Sequence, residues 1–134
     1  MTRERFEERK QDVRRASARL TESVNMPEDE VVRDAVIQRF EFTFEVIWKT
    51  LKLYLERQGF ETGGPRQTLK KAFIEGLIQT PEEADIWFRM LDDRNQTSHI
   101  YKEDLALEIY RRVVADYAGL LNRMAEHIQT LGWD

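Results

Sequence analysis

Arg33-Asp34-Ala35-Val36-Ile37-Gln38-Arg39-Phe40-Glu41-Phe42-Thr43-Phe44-Glu45-Val46-Ile47-Trp48-Lys49-Thr50-Leu51-Lys52 places apolar side chains at Ile37, Phe40, Phe44, Ile47 and Leu51, and the series continues to Tyr54. Steps of three and four alternate, which is the period of an α-helix with one continuous apolar face. Trp48, Leu53 and Leu55 widen that face, so this helix is expected to touch more than one neighbour. Its expected span is about Pro27 to Gln58. Pro27 with Glu28, Asp29 and Glu30 suits a helix start, where the dipole favours negative charge, and Gly59 suits its end.

The flanking sequence reads the same way. Phe6, Val13, Ala16, Leu20 and Val24 form a thin helical stripe over about Thr2 to Val24. Downstream, Gly63-Gly64-Pro65 makes a turn, and Leu69, Phe73, Leu77 and Ile78 mark a short helix. Thr80-Pro81-Glu82-Glu83 matches a capping box, with Thr80 as cap, proline in the first helical position and Glu83 three residues after the cap. The helix it starts carries Ala84, Trp87, Phe88 and Leu91. Ala106, Ile109, Tyr110, Val113, Tyr117, Leu120, Met124 and Ile128 give a long stripe to the last helix. No segment alternates with period two long enough to make a strand. The expected fold is all-α: an antiparallel up-down bundle of about five helices around a four-helix-bundle core, with residues 1–134 as a single domain.

Hydrophobic residues make up 41% and charged residues 34% of the 134-residue chain, and the formal net charge is -4. No global positive field draws it to nucleic acid, so any such contact must come from a local patch. The first helix supplies Arg3, Arg5, Arg9, Lys10, Arg14, Arg15 and Arg19, offset by Glu4, Glu7, Glu8 and Asp12. That run suits either an RNA backbone or a solvated face laced with salt bridges. Cysteine is absent, which excludes disulfides and thiolate metal sites and fits an intracellular, cytoplasmic setting. The charged N-terminus does not read as a signal peptide, and no apolar run approaches the roughly 20 residues that span a bilayer. His99 and His127 are the two histidines, too far apart to form a metal motif. Neither a metal nor a cofactor is expected, and His127 reads as a solvated residue at the end of the last helix.

Leu91-Asp92-Asp93-Arg94-Asn95-Gln96-Thr97-Ser98-His99-Ile100-Tyr101 concentrates polar residues where a bundle needs only a turn. On an unbroken helix, residues five apart point roughly 140° away from each other, so Arg94 and His99 would not share a face. Asn95, Thr97 and Ser98 favour turns and caps, and a break here could bring the pair together or aim both at a symmetry mate. Arginine beside histidine suits phosphoryl chemistry: imidazole moves a proton near neutral pH, and guanidinium holds phosphate charge. Asn95 could orient the substrate or His99, and Tyr101 offers a hydroxyl. The plain structural alternative has Arg94 pairing with Asp92 or Asp93 to close a helix end, with His99 and Tyr101 packed into the last helix. Glu41 and Glu45, four apart among Phe40, Phe42 and Phe44, either face solvent and pair with Lys49 or orient Arg94 or His99.

The Arg94-x4-His99-x-Tyr101 pattern, with Asn95 after the arginine, resembles the signature of HEPN domains in minimal nucleotidyltransferase–HEPN pairs. The helix from Arg33 to Lys52 resembles the branch named nucleotidyltransferase substrate-binding proteins. The resemblance covers about residues 10 to 128. It implies two alternative roles. One is a metal-independent ribonuclease toxin that cleaves RNA, with Arg94 and His99 catalytic, Asn95 supporting, and Tyr101 accepting AMP from an antitoxin nucleotidyltransferase. The other is a non-catalytic subunit that binds substrate for a separate nucleotidyltransferase. Both imply a homodimer and a nucleotidyltransferase partner.

Overall fold

The computed structural model describes residues 2–97 and 102–134, and every described element is helical. Five rods form: α1 (Arg3–Val24), α2 (Glu30–Arg57), α3 (Pro65–Ile74), α4 (Pro81–Thr97), and a last rod made of α5 (Glu103–Arg112), a π-helical segment (Val113–Tyr117) and α6 (Ala118–Gln129). Backbone angles stay helical at Arg112, Val113, Tyr117 and Ala118, so the last rod is continuous.

Polar caps set the starts. Thr2 accepts from the Arg5 amide at 3.1 Å, and Asp29 accepts from the Val32 amide at 2.8 Å. Asp29 is thus the cap of α2, which begins at Glu30 and not at Pro27. A side-chain oxygen that can satisfy an orphan amide outranks a proline as the start signal. Thr80 caps α4 as the sequence implies, accepting from the Glu83 amide at 3.1 Å, while the Glu83 carboxylate reaches the Gln79 amide at 3.4 Å. Gly59 and Gly76 take positive φ, 96° and 83°, and reverse the chain after α2 and after α3. Leu77 and Ile78 therefore follow α3 as a loop, although Ile78 is buried.

α2 is the central rod and packs against α1, α3, α4, α5 and α6. Its stripe from Ile37 to Leu51 is buried as the periodicity demands, with Phe40, Phe44, Ile47 and Leu51 fully enclosed. Phe40 meets Tyr117 at 5.4 Å between ring centroids, and Phe44 meets Trp87 at 6.2 Å, so aromatic contacts join α2 to the last rod and to α4. No helix among the described residues is long and apolar enough to cross a membrane.

Candidate functional site

α4 carries the first half of the polar motif. It runs unbroken through Arg94 and Asn95 to Thr97, whose hydroxyl donates to the Arg94 carbonyl at 2.8 Å. The turn-forming residues Asn95 and Thr97 thus sit inside the helix, and no break precedes residue 98. His99 and Tyr101 lie outside the described residues. Asn95 is exposed on the last turn of α4.

Among the described residues, Arg94 does not pair with Asp92 or Asp93. Its Nε stands 3.4 Å from Glu45 Oε2 on α2. Asp92 instead pairs with Arg66 at 3.1 Å, and Asp93 is occupied by the last rod. Glu45 gathers further donors on its own helix: Trp48 Nε1 donates to Oε2 at 3.0 Å, and Lys49 Nζ lies 3.6 Å from Oε1. The sequence left solvent pairing and orientation of Arg94 as alternatives for Glu45, and this carboxylate makes both contacts.

Arg94 and Glu45 stand on the wall of a broad groove of about 980 Å³ beside α1 and α2. Arg15, Arg19 and Arg39 line it too, with Glu41 and the ring of Phe42, which is 59% exposed. Arg15 is paired with Asp12 at 3.0 Å, and Arg39 donates to the Arg19 carbonyl at 2.8 Å. Two arginines of the first helix therefore face this groove. Others brace the chain: Arg14 donates to Gln129, and Arg3 pairs with Asp134. A smaller pocket of about 140 Å³ lies against α2 and α5, with Ile37, Leu105 and Ile109 as apolar lining and Asp34, Glu41 and Lys102 as polar lining.

A polar cluster that the sequence reading missed lies directly behind Arg94. Asp93 is buried. Arg112 donates to both its oxygens, from Nε to Oδ2 at 2.8 Å and from Nη2 to Oδ1 at 3.0 Å, and the Tyr117 hydroxyl donates to Oδ2 at 2.5 Å. Burial first, and then the bond to Asp93, hold the Tyr117 hydroxyl well above the usual phenol range. The same carboxylate keeps the Arg112 guanidinium charged by hydrogen bonding to it. Asp93 sits three residues past buried Met90, on the continuation of the apolar stripe, and that placement is the signal that could have exposed it.

The geometry agrees with three comparisons. A family model described as nucleotidyltransferase substrate binding protein like matches residues 8–130. Among curated proteins, the chain is similar to one from Haemophilus influenzae described as probable ribonuclease HepT, with 30% identity over 92 residues, covering 62% of this chain and 61% of that one. The chain thus spans less than two thirds of that relative's length. Among solved structures, it is similar to a protein from Thermus thermophilus with a TM-score of 0.79 and 40% identity, covering 87% of this chain and 98% of that one. Because the family match takes in α2, Arg94 and the polar segment after it, the chain belongs to the nucleotidyltransferase substrate binding protein like family, a family of HEPN-like helical bundles.

Proposed function

We propose that this chain is a HEPN-type, metal-independent endoribonuclease that works as the toxin of a pair with a minimal nucleotidyltransferase. In this reading residues 1–134 act as one domain in the cytoplasm, without a cofactor. The observation that carries it is the setting of Arg94: braced by Glu45, at the wall of a groove that also presents Arg15, Arg19 and Arg39. Guanidinium groups lining one groove suit a phosphodiester backbone, even in a chain of net charge -4.

The chemistry follows from the residue types. The ribose 2'-hydroxyl attacks the adjacent phosphorus while His99 takes its proton. Arg94 stabilises charge on the phosphorane oxygens, and Asn95 helps to orient the reacting groups. The bond to the 5'-oxygen breaks, that oxygen receives the proton that His99 took up, and a 2',3'-cyclic phosphate remains. Glu45 acts through Arg94 by holding its guanidinium, and Glu41 lines the groove beside it.

Incubation of the purified chain with single-stranded RNA in EDTA tests this. The expected result is cleavage with 2',3'-cyclic phosphate ends, reduced about 10² to 10⁴-fold by His99→Ala. Cleavage that EDTA abolishes while His99→Ala leaves it intact overturns the assignment. The second reading, a non-catalytic subunit that binds substrate for a nucleotidyltransferase, is favoured by the family's own description. It expects no cleavage by the isolated chain and a measurable rise in the partner's nucleotidyl transfer on adding it.

A further inference from the structure

We propose that Asp93 is a positioning residue: its bonds to Arg112 and Tyr117 fix the rotation of α4 and thereby aim Arg94 at Glu45 and the groove. The catalytic consequence rests on the ribonuclease reading of Arg94, whereas the positioning itself does not.

Successive residues on a helix point about 100° apart, so fixing one side chain fixes the direction of the next. The apolar face of α4, with Ala84, Trp87 and Met90, is held by packing that has little directional preference. The Asp93–Arg112 pair is different. Two parallel N–H···O bonds at 2.8 and 3.0 Å constrain angle as well as distance. A third bond, from the Tyr117 hydroxyl, leaves the carboxylate little freedom to turn.

The other end of this latch is also fixed. The Tyr117 ring stacks on Phe40, and Phe40 lies on α2, the helix that carries Glu45. Asp93 therefore ties α4 to the same rod on which the partner of Arg94 stands. Arg89 and Asp116, 3.5 Å apart, join α4 to the π segment one turn earlier. The π segment itself supplies Tyr117 and directly follows Arg112. A π turn shifts helical register by one residue, a feature concentrated at functional sites. Asp93 is buried and Arg112 half-buried, and the net contribution of such a pair to stability is small against the cost of desolvating the carboxylate. What apolar residues cannot reproduce is the fixed angle.

The test follows the Arg94 Nε–H and Trp48 Nε1–H signals by ¹⁵N-edited NMR on the full chain. Both groups face Glu45 Oε2. The arginine signal is identified by its loss in Arg94→Lys. Asp93→Asn keeps size and removes charge. It is expected to shift both signals, to speed exchange of the Arg94 Nε–H with water, and to lower kcat on RNA about tenfold or more with KM little changed. Ile128→Ala, which opens the core in the last turn of α6, is expected to lower the melting temperature and leave both signals in place. A folded Asp93→Asn with unmoved Arg94 and Trp48 signals overturns the proposal. Should Asp93→Asn fail to fold, Tyr117→Phe keeps the ring on Phe40 and removes one donor. A shift of both signals then supports the latch, and no shift overturns it. If the signals move but the wild type never cleaves RNA, the ribonuclease reading falls and the latch stands.

Discussion

Glu45 receives Trp48, Lys49 and Arg94 at once, and the competition among these donors shapes the site at the scale of single residues. Trp48 and Lys49 come from the next turn of the same helix, so they form with little loss of chain entropy. Arg94 arrives from another helix and adds the contact that matters to the proposed chemistry. Tyr101, which lies outside the described residues, is the proposed acceptor of AMP from a nucleotidyltransferase partner. A phosphate placed there would compete with RNA phosphate for Arg94, and a purine would obstruct access. Intact-mass spectrometry after co-expression with such a partner should show an adenylyl addition on the wild type and none on Tyr101→Phe. The same addition on Tyr101→Phe would move the acceptor elsewhere. At this scale the sequence disclosed chemistry better than geometry. Glu45 was legible as a candidate because four-residue spacing set it beside Glu41 and Lys49 among aromatic residues. Asp93 was not, because an aspartate within Asp92-Asp93-Arg94 looks like a solvated helix end, and Arg112 beside Arg111 looks like a surface pair.

The helices show where periodicity carries information and where it does not. α2 was readable almost residue by residue, since a stripe from Ile37 to Leu51 admits one helical phase. The ends were less so, because several residues near Asp29 satisfy a start rule and only geometry tells which oxygen reaches an amide. The π segment left no trace in the pattern: Val113, Tyr117 and Leu120 keep steps of four and three that an ordinary helix also satisfies. α4 gives the cleanest test of a sequence-level rule. Thr80 accepts from the Glu83 amide, and its helix ends in the turn that holds Arg94. Thr80→Ala removes that acceptor from an exposed site and should cost about 1 kcal/mol in denaturant unfolding, with an unchanged m-value. Thr80→Asp should retain most of the stability by capping the same amide. Equal loss in both variants would assign the effect to something other than the cap.

At the scale of the whole molecule, the proposed chemistry asks how Arg94 meets His99. Arg94 points to the groove near α1 and α2, while five-residue spacing on a continuous helix would send His99 away from it. A two-fold dimer, the expectation from the sequence, would let the motif of one copy face that of the other and double the basic groups over one cleft. The groove wall carries a suitable apolar contact in Phe42, 59% exposed beside Arg94 and Glu45. Large aromatics are enriched among residues that dominate binding energy, and an isologous interface uses each of them twice. Light scattering on the wild type at micromolar concentration should therefore report twice the 16.0 kDa of one chain. In that dimer Phe42→Glu would bring two like charges to the interface in place of the ring. A loss of about 2 kcal/mol or more is the scale of a single dominant contact, and it weakens dimerisation about 30-fold. That variant should run as a monomer at the same concentration while keeping its helical circular dichroism, because Phe42 lies outside the core. Its RNA cleavage should fall together with its dimer fraction, and raising the protein concentration should restore both. A monomeric wild type, or a Phe42→Glu monomer with full activity, would leave the chemistry to one chain and require Arg94 and His99 to converge within it.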